Sequence, residues 1–107
     1  MKKQPAILYR EFDEKLEIDV IAAPNWDHFD SLRLFLEQYF QAEIINQFDG
    51  PGSRVCSLRI DGQAFKLAHD DGYGNYISTT KSGEHIAQKI AQELQIRLDP
   101  PSLNNPT

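Results

Sequence analysis

The sequence holds one cysteine, Cys56, one tryptophan and one methionine in 107 residues. A lone cysteine closes no internal disulfide, so a reducing compartment is the simplest home and a cytoplasmic location is expected. It also removes paired-thiol zinc sites, and no His-x-x-x-His pair takes their place. Long apolar runs are missing as well. No stretch approaches the ~20 residues that cross a bilayer, and no membrane partner is expected. The opening MKKQPAILYREF has two lysines but no long apolar segment and no small-residue cleavage site, and it reads as a mature start. No glycine-rich turn is followed by Lys and Ser/Thr, and no dinucleotide fingerprint occurs. No cofactor is expected.

Positive charge is scarce in the first half. Residues 1–50 carry ten acids against five bases, whereas residues 51–107 carry six of each, for a net charge of −5. An acidic half repels phosphate, which makes nucleic acid a poor partner. A solvated acidic face is the plain reading, and a basic target protein is the partner such a face favours.

The apolar residues that are present fall into two periods. ILYREF (7–12) and KLEIDVIA (15–22) read as a hairpin around Asp13-Glu14, with Leu16, Ile18 and Val20 on one side of the second strand. Pro24 ends that strand, and Asn25 or Asp27 caps a helix. Trp26, Phe29, Leu32, Phe35, Leu36, Tyr39 and Phe40 recur at helical spacing and predict a wide aromatic core stripe. AEIINQF (42–48) reads as a strand with Ile44 and Phe48 inward, RVCSLRI (54–60) as one with Cys56, Leu58 and Ile60 inward. Asp61-Gly62 is a strong hairpin signal. QAFKLAH (63–69) and YISTT (76–80) complete the strands. SGEHIAQKIAQELQIRL (82–98) predicts a second helix capped by Ser82, and Asp99-Pro100-Pro101 stops it.

The order ββ-α-ββββ-α predicts an α+β two-layer sandwich, an antiparallel sheet with both helices on one face. Residues 1–98 form the single domain, and 99–107 are expected to be a disordered tail. The other sheet face meets water or a partner. Ile21, Ile45, Val55 and Tyr76 fall on it and, if adjacent, make an apolar contact patch.

The most polar stretch is AHDDGYGNY (68–76). Its spacing fails the calcium-loop pattern, and Asp, Asn and Gly there suit a hairpin reversal. Tyr73, Tyr76, Asp70 and Asp71 then form an acidic, aromatic tip suited to a protein partner. The competing reading is a metal site or small enzyme built from His28, His69, Asp70 and Asp71, with His85 near them if both helices start at one end. No catalytic residue is assigned, since Cys56 sits among inward strand residues and the serines have turn, strand or cap roles.

Trp26-x-x-Phe29, Asp61-Gly62-x-x-Phe65-x-Leu67, the turn at Asp70-Asp71 and the helix with Ile86, Ile90 and Leu94 together resemble the small bacterial domain-of-unknown-function family 3630, over about residues 15–98. The resemblance implies no catalytic residues. The layout is also similar to that of small acidic immunity proteins and of dimeric secretion chaperones. The function expected is non-enzymatic binding of another protein, or of a second copy as a homodimer.

Overall fold

The computed structural model describes residues 5–98; the expected tail at 99–107 lies outside the described residues. A hairpin of β1 (Leu8–Phe12) and β2 (Lys15–Asp19) is followed by α1 (Trp26–Phe40). Strands β3 (Glu43–Gly50), β4 (Ser53–Ile60), β5 (Gln63–Asp70) and β6 (Gly74–Thr80) run as a meander, and a 3-10 turn (Lys81–Gly83) leads into α2 (Glu84–Leu98). The ββ-α-ββββ-α order and the α+β class are as the periodicities predict.

The six strands form one antiparallel sheet in the order β1-β2-β6-β5-β4-β3. Helix α1 carries the chain from β2 to the far edge, and the meander returns until β6 pairs with β2. That long-range pairing brings the β5–β6 turn beside β1 and β2. The Asp13-Glu14 and Asp61-Gly62 turns both hold two successive positive φ values, 49° and 63° in one, 51° and 80° in the other. This backbone matches the twist of paired strands, which is why Asp-Gly signals it.

Both helices cover one face. Leu16, Ile18, Ile77, Leu67, Phe65, Cys56, Leu58 and Ile60 point from the sheet toward Phe29, Leu32, Leu36, Ala87, Ile90 and Leu94 from the helices. Each large side chain buried here contributes about 1.5–3 kcal/mol of transfer free energy.

Three expectations need correction. The aromatic stripe of α1 is wider than the surface it packs on. Phe29, Leu32 and Leu36 are buried, but Trp26 and Tyr39 are 38% and 51% exposed. Phe35 and Tyr39 take the Arg97 guanidinium of α2, at 5.0 and 4.3 Å from their ring centroids, and so make part of the seam between helices. Ser82 does not cap α2 directly. It sits in the 3-10 turn, where its Oγ donates to Gln63 Oε1 at 3.1 Å.

The third correction concerns β3. Ile44 opposes Leu58 and faces the core, but the register slips between Ile44 and Asn46, so Ile45 is an extra residue. Beyond this bulge every side chain changes face. Gln47 opposes Cys56, and Phe48 opposes Val55 on the face away from the helices, where it is 68% exposed.

Candidate functional site

The uncovered sheet face is the candidate site, and the strand register orders it. Leu8, Asp19, Tyr76, Ala68, Val55 and Phe48 are successive Cα partners in one row that crosses all six strands. Five of the six are apolar or aromatic. Phe48 and Leu8 are 68% and 43% exposed; Tyr76 and Val55 are half-buried and cover the small Ala68 between them. The row beside it reads Arg10, Glu17, Ser78, Lys66, Ser57 and Asn46. A shallow concavity of about 330 Å³ runs between Phe12, Val55, Ala68 and Tyr76.

Of the four residues expected to form a patch, the structure brings together two. Val55 and Tyr76 are separated by Ala68 alone. Ile45, 44% exposed, is on the same face but in the bulge, near the opposite end of β3 from Phe48. Ile21 lies past the end of β2 in a turn, half-buried beside Tyr73 and Asn75. The patch therefore contains Phe48 and Leu8, which alternation alone had not placed there, and omits Ile21.

One end of the face is fixed by a charged cluster. Glu17 and Asp19, two apart on β2, point the same way. The Tyr73 hydroxyl, arriving on the β5–β6 turn, lies 2.8 Å from Glu17 Oε2 and 2.8 Å from Asp19 Oδ2. Arg10 on β1 donates to Glu17 at 2.8 Å and to the Tyr73 oxygen, and stands 3.1 Å from Asp19. Burial, a hydrogen bond with Glu17 and the charge of Glu17 push the Asp19 carboxyl up to about 6. Burial acts on Glu17 in the same direction. There it is outweighed by hydrogen bonds with Asp19, Tyr73 and Arg10, which hold its carboxyl below the ordinary range. Burial and both acids raise Tyr73. Two carboxylates and one phenol thus compete for few protons. The buried Asp19 Oδ1 has no hydrogen-bond partner, which adds to the cost of ionising this carboxyl. A proton held near pH 6 can do acid–base work, but every partnered oxygen here is turned inward onto Arg10, Glu17 or Tyr73. The visible effect is to tie β1, β2 and the β5–β6 turn together.

AHDDGYGNY is the β5–β6 reversal. The Gly72 N–H donates to Asp70 Oδ1 at 2.8 Å and the Tyr73 N–H to the Asp70 carbonyl at 2.9 Å, an Asx turn inside the hairpin. Tyr73 packs edge-on against Tyr76 with centroids 5.4 Å apart.

Of the residues of the metal reading, the structure brings His69 and Asp71 together and gives His28 and Asp70 other partners. His69 points to the helix side, 3% exposed, with Nε2 3.0 Å from Asp71 and the Trp26 ring 4.0 Å away. Asn75 Nδ2 donates to the Ala23 and Asn25 carbonyls at 2.7 and 3.0 Å. Its Oδ1 therefore faces His69 Nδ1 at 2.7 Å and accepts the proton there. His28 Nδ1 accepts the Asn25 N–H at 3.2 Å and belongs to the start of α1. Asp70 is occupied by its own turn. His85 lies in the first turn of α2, which follows the end of β6, whereas Asn75 and His69 pair at the beginning of that strand. The three histidines do not gather at one end. Among the described residues, no group of three or more His, Cys, Asp or Glu side chains is placed to hold a metal ion.

Alternation along the strands put Glu17, Asp19, Lys66 and Arg59 on the open face, but it could not bring Arg10 and Tyr73 to the acids or Asn75 to His69. Those meetings depend on strand order. Among the described residues, no helix is long and apolar enough to cross a membrane. No family model, no curated protein and no solved structure matches the chain.

Proposed function

We propose that this chain is a non-enzymatic, cytoplasmic protein-binding module that works through the open face of its sheet, in the manner of an immunity or chaperone-like accessory protein. The observation that carries the reading is the row from Tyr76 through Ala68 and Val55 to Phe48, left uncovered by either helix, with Leu8 beyond Asp19 at its far end. Contiguous exposed apolar surface of this kind, bordered by polar residues, is what interfaces use. The clamp of Arg10, Glu17, Asp19 and Tyr73 holds one end of the face rigid, which lowers the ordering cost of binding. Membership of domain-of-unknown-function family 3630 belongs to the same proposal and adds no catalytic residue to it.

The test is capture of proteins from cell extract by wild-type bait and by a Val55→Lys/Phe48→Lys bait, with matched melting curves as the control for folding. A stoichiometric protein held by the first and lost from the second supports the reading. Identical capture by both baits, or no stoichiometric protein on either, refutes it.

A further inference from the structure

Among the described residues, four cationic side chains form no ion pair: Lys15, Arg59, Lys66 and Lys89. Lys89 is on α2. The other three stand on the open sheet face, in adjacent rows. Lys66 has Ser57 and Ser78 as its cross-strand neighbours, Lys15 opposes Thr80, and Arg59 opposes Ala64. All three line a concavity of about 400 Å³ whose wall contains no acidic side chain. Lys15, Lys66 and Ser78 also line the concavity that runs beside Tyr76 and Val55. The two concavities share Lys15, Lys66 and Ser78; the first is cationic, and the second is largely apolar with Glu17, already held by Arg10, on its wall.

The acids of this face are already engaged or stand apart. Glu17 and Asp19 are held by Arg10 and Tyr73, and Asp70 accepts the Gly72 N–H. Glu43 opposes Arg59 across β3 and β4 but does not reach ion-pair distance. An acidic first half of the sequence favours a basic target. The folded chain reverses that preference within this one concavity, whose wall carries three unpaired cations and no acid, while Asp19, Asp70 and Glu43 stand outside it.

Resting on the reading of the open face as a protein-docking surface, we propose that the segment it receives is acidic. It is an extended stretch of a partner protein with carboxylates over Lys15, Arg59 and Lys66 and an apolar side chain over Val55 and Tyr76. Unpaired, exposed cations contribute chiefly to steering and selection of such a partner, and the apolar end supplies the desolvated contact. A long nucleic-acid strand suits the face less well. Past three cations it runs onto Asp19 and Asp70 at one end or Glu43 at the other.

The experiment uses the full chain and two labelled hexapeptides, one with the pattern Glu-Glu-Leu repeated twice, the other with lysine for every glutamate. Anisotropy is read at low and at physiological salt, and amide shifts are followed by NMR. The acidic peptide should bind more than tenfold better than its lysine twin and weaken with salt. It should shift the amides of Lys15, Ser57, Lys66 and Ser78. Lys66→Glu with Arg59→Glu should lower its affinity at least tenfold with melting unchanged. Equal or better binding of the lysine twin overturns the proposal. So does tighter binding of a thymidine dodecamer or of inorganic phosphate, or absence of binding by either peptide. Should these fail while capture still depends on Val55 and Phe48, the docking face stands and only the acidic partner falls. If that dependence is also absent, both fall.

Discussion

Glu17 and Asp19 meet at a single atom: the phenolic oxygen of Tyr73 lies 2.8 Å from a carboxylate oxygen of each. A phenol has one proton to give, so the second carboxylate must carry a proton of its own or rely on Arg10. The burden falls on Asp19, whose carboxyl burial and Glu17 lift to about 6.

This sets a pH dependence with a definite sign. The folded value of Asp19 is above the unfolded value of about 3.9, so its contribution to stability is complete below about pH 4 and is lost as pH rises through about 6. Glu17, held below its ordinary range, contributes in the opposite sense, gaining as pH rises past its unfolded value. Asp19→Asn keeps the shape and cannot ionise. Its melting temperature should match wild type near pH 4 and exceed it at pH 7.5. A difference that does not change across that range would show that Asp19 is not the strained partner.

On the helix side, Asn75 is the buried joint between β6, His69 and the start of α1. Asn75→Ala removes donors from two carbonyls and the acceptor from His69 Nδ1. A buried group left unpaired costs about 1–3 kcal/mol, and water can reach part of this site, so a total loss of ~3 kcal/mol is expected by urea unfolding. Asn75→Asp should not restore stability, because a carboxylate cannot donate to the Ala23 and Asn25 carbonyls. Full recovery with Asp would show that the Asn75 amide does not donate to the Ala23 and Asn25 carbonyls.

The class of the fold was legible because its signals are local. Alternation in KLEIDVIA, the Asp61-Gly62 pair and the helical spacing of Ile86, Ile90 and Leu94 each act within a few residues. What stayed hidden depends on distance along the chain or on one extra residue. Nothing local says that β6 pairs with β2, and without that Arg10, Glu17, Asp19 and Tyr73 cannot be assembled. Nothing local marks the bulge at Ile45 either, since Ile44, Ile45 and Phe48 are all apolar and fit two registers equally well. The spacing of Trp26 predicts a core residue, yet at the first turn of α1 the ring stays 38% exposed and packs on His69.

Two glycines separate backbone strain from steric exclusion. Gly62 has a φ of +80° and nothing within 4 Å of the position a Cβ would take, so Gly62→Ala should lose about 1 kcal/mol from conformation alone. Gly62→Asn should lose less, since asparagine tolerates the left-handed region. At Gly83 no positive φ is involved, but a Cβ would stand 2.7 Å from Thr79 Oγ1 and 2.8 Å from Gln63 Cγ. Gly83→Ala must push apart the hydrogen bonds among Gln63, Thr79 and Thr80. Thermal melts should therefore show Gly83→Ala as the more damaging substitution, and the reverse order would contradict the packing of the 3-10 turn.

Phe48 gives the sharpest test of the register. If β3 alternated without interruption, Phe48 would face the core beside Ile44, and truncating it would cost about 3–5 kcal/mol as for a buried phenylalanine. The bulge puts it opposite Val55 on the open face at 68% exposure. Phe48→Ser should then change unfolding free energy by no more than about 0.5 kcal/mol, the range of ordinary surface substitutions. Phe29→Ala, at a fully buried position, should show the full core penalty in the same buffer. A side chain so exposed yet aromatic gains nothing from the fold that carries it. A neutral effect on stability combined with lost partner capture is the outcome that joins the register to the proposed function.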